Sequence, residues 1–218
     1  SCGRFDLLKK TIYSFFRFHE DDIAKLVVID NGYQYSNMQY EGYRKLVKNC
    51  VPYDYVESTE FIINRFDVGQ VSSIDTAYGL VKTKYIFHCE DDWFFHKNGF
   101  LDHSRTLLEY DPHIMNVNIR DRFCGQKGSD HPIVATFEVG NIKYHRYMQN
   151  YCGVYHGFSW NPGLRRLSDY LKIAPFSKYK NEEGMNNIYQ KLGYYSVCLD
   201  ETYCHHIGEG QETLNRNE

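Results

Sequence analysis

The sequence is first defined by what it lacks. No apolar run reaches the roughly 18 to 20 residues that cross a bilayer, and the opening SCGRFDLLKK lacks the layout of a signal peptide. No charge of one sign dominates. Lys and Arg number 25 against 28 Asp and Glu, a formal charge of -3. That balance disfavours nucleic acid or anionic lipid as a partner, because both need a basic field. No C-x-x-C pair occurs among the seven scattered cysteines (Cys2, Cys50, Cys89, Cys124, Cys152, Cys198, Cys204), which speaks against zinc and for a reduced compartment. There is no internal repeat, low-complexity segment or Pro/Gly/Ser-rich linker, so one domain is expected.

What remains is a globular composition. With 42% hydrophobic and 17% aromatic residues in 218, the chain can bury roughly 70% of its unfolded surface without metal or disulfide support. Two hydrophobic periods alternate through the first half, the pattern of a sheet with helical crossovers. Leu8, Ile12, Phe15 and Phe16 lie at helical spacing behind Asp6, which is expected to be the N-cap. The β-branched run Leu26 to Ile29 reads as a strand ending at Asp30-Asn31-Gly32. A helix over 37–49, a short strand at Tyr55-Val56, a helix behind Gly69 and a buried strand over 85–89 follow.

Farther on, a helix over 101–108, a strand over 114–119 and a hairpin over 134–148 turning at Gly140-Asn141 are expected. Asn161-Pro162 reads as the start of one helix and Asn181 as the cap of another, and a last strand covers 195–199. The tail after Gly210 is polar.

In an open α/β sheet, ligands bind beyond the carboxyl ends of the strands. Two such ends are acidic, Asp30 and Glu90-Asp91-Asp92. On an extended strand, Glu90 and Asp92 would share one face while Asp91 turns to the other. Three adjacent carboxylates repel one another, and a hard cation such as Mn2+ or Mg2+ would relieve the repulsion while leaving positions open for a diphosphate.

The stretch Tyr85-Ile-Phe-His-Cys-Glu-Asp-Asp-Trp93 resembles the D-x-D element of GT-A nucleotide-sugar glycosyltransferases, in the E-D-D form of inverting N-acetylglucosaminyltransferases. Gly157-Phe158-Ser159-Trp160-Asn161-Pro162-Gly163-Leu164 looks like their acceptor-side segment, and Asn181-Glu182-Glu183-Gly184 sits where they carry a catalytic carboxylate. The resemblance implies a single GT-A domain over 1–210, a mixed, mainly parallel sheet flanked by helices. Its nucleotide-binding half would be about 1–95 and its acceptor half about 96–210, with a flexible tail over 211–218. It further implies Asp92 and His206 as metal ligands, and Arg4, Asp30, Glu90 and Asp91 at the nucleotide sugar. Trp160 would lie at the acceptor, and Glu183 or its neighbour Glu182 would be the general base.

The reaction so implied moves a sugar from a nucleoside diphosphate donor, UDP or GDP, to a hydroxyl of a glycan, glycoprotein or lipid-linked acceptor, with inversion. A metal on the diphosphate would stabilise the charge that builds as the glycosidic bond breaks. Glu182 and Glu183 also have a structural reading, since acids in a first helical turn offset the macrodipole. His205 and His206 read equally well as a surface pair, and Arg120-Asp121-Arg122 as a salt-bridged turn. Two rival functions stand beside the transferase: a sugar-phosphate nucleotidyltransferase, disfavoured by the glycine-poor Cys2-Gly3-Arg4, and a non-catalytic nucleotide- or carbohydrate-binding domain. Cysteine usage favours the cytoplasm, and the motif match favours a Golgi lumen if an anchor has been trimmed away.

Overall fold

A computed structural model describes residues 1–19, 23–31, 37–64, 66–121 and 131–208, without the side chains of 37–40. The expectations attached to Gly32, Arg122, Cys124 and the tail lie outside these residues. Helix α1 (Phe5–Phe18) is followed by strand β1 (Leu26–Asn31), helix α2 (Asn37–Lys48), the single turn α3 (Tyr53–Val56), strand β2 (Thr59–Asn64) and helix α4 (Gln70–Gly79). Strands β3 (Tyr85–His88) and β4 (Trp93–Phe95), helix α5 (Phe100–Tyr110) and strand β5 (Ile114–Asn118) come next. The hairpin β6 (Ile133–Val139) and β7 (Ile142–Tyr147) leads to the small ribbon β8 (Asn150–Tyr151) and β9 (Val154–Tyr155). The chain continues through β10 (Gly163–Arg166), α6 (Leu167–Ile173), α7 (Glu182–Lys191), β11 (Tyr195–Leu199) and β12 (Cys204–His206).

The mixed α/β class is as expected. Six strands form one sheet in the order β3-β10-β5-β11-β7-β6, while β1 pairs β2 and β12 pairs β4 in two-stranded sheets. The expectation of a mainly parallel sheet is corrected. Among the described residues only β1 with β2 and β11 with β5 run parallel, and β10 is antiparallel to both of its neighbours. Both faces of the six-stranded sheet are covered, so β5 and β11 are buried along their whole length, and their polar residues Asn116, Asn118 and Ser196 hydrogen-bond to one another inside. One core holds Phe95, Phe100, Leu107, Val117, Leu164 and Val197. An aromatic core on the other face gathers Tyr78, Ile86, Phe158, Trp160, Phe176 and Tyr189. A third packs α1 and α2 on β1.

Three local expectations fail for identifiable reasons. Arg4, not Asp6, occupies the N-cap of α1, and Asp6 lies in the first turn, where its charge still favours the helix N-terminus. Tyr55-Val56 is helical, and the strand that pairs with β1 begins at Thr59. Asn161-Pro162 does not open a helix. Gly163–Arg166 is instead a strand squeezed between β3 and β5, where a Cβ on Gly163 would stand 2.6 Å from the Val117 carbonyl oxygen. The Asn181 cap is borne out: its side chain accepts from the Gly184 N–H at 3.0 Å.

Candidate active site

The acidic triplet occupies the connection between β3 and β4. It is a turn, so strand alternation does not govern it. Helix α1 holds it from behind: the Thr11 hydroxyl donates to the Asp91 carbonyl oxygen at 2.8 Å and accepts from the Trp93 N–H at 3.1 Å. Ser14 accepts from the Phe95 N–H in the same way. These buried hydroxyls satisfy backbone groups that no sheet partner reaches.

The three carboxylates take three environments. Asp91 is buried and chelated by Arg4, whose Nε donates to Oδ2 at 3.2 Å while Nη2 reaches Oδ1. Arg4 also reaches Asp92, with Nη1 at 3.0 Å from Oδ2. Burial works against the arginine charge, but the two carboxylates more than offset it, and its pKa is raised. Glu90 accepts from the Gln70 side-chain amide at 2.8 Å. Burial first, then the charges of Asp92 and Glu182, push its carboxyl up to about 7.

Asp92 faces His206. Strand β12 lies antiparallel to β4 with His206 opposite Trp93, which brings His206 Nε2 to 3.2 Å from Asp92 Oδ2. The Ile207 N–H donates to the Asp92 carbonyl oxygen at 2.8 Å. His205 turns instead toward the rings of Phe94 and His96. The donor set fits a hard or borderline divalent cation: one carboxylate and one imidazole, with Asp92 Oδ1 buried and making no hydrogen bond. Gly208 completes the cradle, because a Cβ there would stand 2.7 Å from Asp92 Oδ2 and 3.0 Å from His206 Nε2. Among the described residues no cluster of three or more His, Cys, Asp or Glu could hold a metal, so remaining ligands would come from substrate and water.

Asp30, the next-to-last residue of β1, is almost fully buried. Its Oδ2 accepts from the Gly3 N–H at 3.0 Å and the Tyr43 hydroxyl at 2.8 Å, while Oδ1 is buried and makes no hydrogen bond. Ser1, Cys2, Arg4, Asn31, Asp67, Gln70, Glu90 and Asp92 line one cavity of about 1470 Å³.

The acceptor-side residues divide. Glu182 sits in the first turn of α7 and its charge acts on Glu90. Its Oε2 accepts from the Tyr155 hydroxyl and its Oε1 from the Trp160 N–H, both at 2.6 Å. Burial first, then Glu182 and the hydrogen bond to it, hold the Tyr155 hydroxyl in its protonated form. Glu183 is exposed. The Trp160 ring packs in the aromatic core against Phe158, Phe176 and His88, so its backbone, rather than its ring, meets Glu182. Sequence reasoning missed Tyr43, Gln70 and Tyr155. Each reaches its partner across distant chain segments or within a tyrosine-rich stretch, and no local pattern marks them.

No protein-family model matches the chain, and no curated protein does. Among solved structures, mannosyltransferase PcManGT from Pyrobaculum calidifontis in complex with GDP-Man and Mn2+ is similar, with a TM-score of 0.65 at 10% sequence identity. That match covers 97% of this chain and 56% of that one, so this chain spans little more than half the length of the mannosyltransferase. Mouse xyloside xylosyltransferase 1 in its apo form gives a TM-score of 0.41 at 11% identity over 88% of this chain and 71% of that one. The chain shares a glycosyltransferase fold with the first of these: a mixed α/β domain with a central sheet flanked by helices.

Proposed function

We propose that the chain is a metal-dependent glycosyltransferase that moves a sugar from a nucleoside diphosphate donor to a hydroxyl acceptor with inversion. The observation that carries this reading is that Asp92 Oδ2 and His206 Nε2 stand 3.2 Å apart in the cavity that Arg4 and Glu90 also line. Glu182, held by two hydrogen bonds, adds its charge on the Glu90 side of this cleft. Asp92 and His206 would hold Mn2+ or Mg2+, which when bound neutralises charge on the diphosphate. Arg4, which lines the cavity beside the acidic turn, supports the nucleotide end of the cleft, and Asp30 lies behind that lining, where it holds the Gly3 N–H.

Glu182 is the better candidate for the base, ahead of Glu183. Tyr155 and the Trp160 N–H fix its carboxylate in one orientation, and each oxygen keeps acceptor capacity for a substrate hydroxyl. The acceptor O–H gives its proton to Glu182 as the oxygen attacks the anomeric carbon, and the diphosphate departs from the opposite face. The GDP-mannose of the Pyrobaculum structure makes that sugar nucleotide the first donor to test.

The experiment is a thermal-shift series of the full chain with UDP, GDP, CMP and dTDP, with and without Mn2+, followed by transfer assays. One nucleotide is expected to raise Tm only with Mn2+, by about 2.7 kcal/mol of stabilisation at a hundred times its Kd, and Asp92→Ala should abolish this. Wild-type turnover in Asp92→Ala would overturn the reading. Metal-dependent affinity without turnover would mark a binding domain, and a product of retained anomeric configuration by NMR would remove inversion.

A further inference from the structure

The cavity beside the acidic turn runs on between two open sheet edges. β1 pairs with β2, and β3 is the last strand of the six-stranded sheet, so among the described residues each leaves one edge without a strand. Both edges border the cavity, through Leu26 to Ile29 on one side and Tyr85 to Cys89 on the other. Helices cover it above and below. Phe15 of α1 lines it and packs on Phe87 in one core, while Ile74 of α4 lines it and packs with Ile86 in the other.

Ser1 shows what the β1 edge accepts. Its nitrogen donates to the Ile29 carbonyl oxygen at 2.8 Å and its own carbonyl oxygen accepts from the Asn31 N–H at 2.7 Å, which is one rung of a parallel ladder opposite Asp30. There the ladder stops. The next groups on the same edge, the Ile29 N–H and the Val27 carbonyl, make no hydrogen bond among the described residues. On β3, Lys84 turns its carbonyl toward the β10 side, where the Leu167 N–H donates to it at 3.0 Å, so Tyr85 and Phe87 turn their peptide groups to the cavity. The Thr83 hydroxyl donates to the Tyr85 carbonyl at 2.8 Å, and the Phe87 N–H and carbonyl make no hydrogen bond among the described residues.

We propose that the cavity is a docking slot for one more β-strand of this polypeptide, parallel to β1 and running directly into Ser1. The strand would be about four residues long, the distance from Leu26 to Asp30, and apolar on both faces because a helix covers each. A lipid chain could fill the same space but would leave the peptide groups of both edges unpaired, whereas a strand pairs with both and joins the two sheets into one. It would also anchor the segment that reaches the cleft, where the Gly3 N–H donates to Asp30 and Arg4 chelates Asp91.

Amide hydrogen exchange read by NMR tests the slot. The full chain is compared with two extended forms, one carrying four β-branched apolar residues before Ser1 and one carrying four Gly and Ser residues. The apolar extension should slow exchange at the Ile29 and Phe87 amides by about a hundredfold and raise Tm, and Ala77→Phe, which fills the slot from α4, should abolish both effects. Equal exchange in the two extended forms overturns the proposal. If the apolar extension does not stay soluble, a capped six-residue apolar peptide added to the full chain serves: protection of the same two amides, lost in Ala77→Phe, is expected, and none counts against the slot. Protection by a long-chain fatty acid and by neither strand marks a lipid pocket and overturns it as well. None of these readouts depends on sugar transfer.

Discussion

At the residue scale, the two adjacent glutamates of α7 separate cleanly. Glu182→Gln should lower kcat by about 10²- to 10⁴-fold with little change in Tm, whereas exposed Glu183→Gln should remain near wild type; steady-state kinetics beside thermal melts decide it. The reverse order would move the base to Glu183. Gly208→Ala should keep the fold and weaken Mn2+ binding, because its new methyl would press on Asp92 and His206; titration calorimetry with Mn2+ and nucleotide measures that loss. The acids themselves were legible in the sequence, since three carboxylates at the end of an apolar strand demand a partner. The identity of that partner was not. Arg4 and Asp91 stand 87 positions apart, and only the fold brings them together.

At the element scale, legibility followed the strength of the local signal. The hairpin at Gly140, the Asn181-capped helix and the strand over 195–199 each carry turn, cap or β-branched signals strong enough to stand alone. Strand β10 does not. Asn-Pro followed by spaced leucines satisfies the rules for a helix start, yet the sheet places a strand there, because tertiary pairing on both edges outweighs local preference. The same contact makes a prediction. Gly163→Ala puts a methyl 2.6 Å from the Val117 carbonyl oxygen, where backbone cannot yield as a flexible side chain would, and should cost about 1 to 3 kcal/mol in urea denaturation. Ala at Gly42, with nothing nearby, is the matched control.

For the whole molecule, the fold class was readable from alternating periods, but strand order and direction were not, since these depend on long-range pairing. The descent of stability with acid belongs to this scale. His131 sits between Arg120, at 2.7 Å from its Nε2, and His156, at 3.1 Å from its Nδ1, under the Tyr147 ring. Burial, then the charge of Arg120, then His156 lower its pKa to about 4. The folded state therefore binds fewer protons than the unfolded chain, and this contribution is complete above the unfolded value near 6.5 and fades as pH falls toward 4. Wild type should lose about 2 kcal/mol more than His131→Gln between pH 7.5 and 4.5, read from urea midpoints at each pH.

The pairing of β4 with β12 carries a further consequence. Asp92 and His206 are separated in sequence by residues 93–205, yet a two-stranded ribbon holds them as neighbours. On the proposed reading, folding alone would bring the two ligands together, so their closure entropy would be lost before an ion binds. Because that entropy depends only logarithmically on contour length, loops inside this span can lengthen or shorten while the Asp92–His206 geometry stays nearly constant. For a transferase built as proposed, acceptor choice would drift independently of donor chemistry.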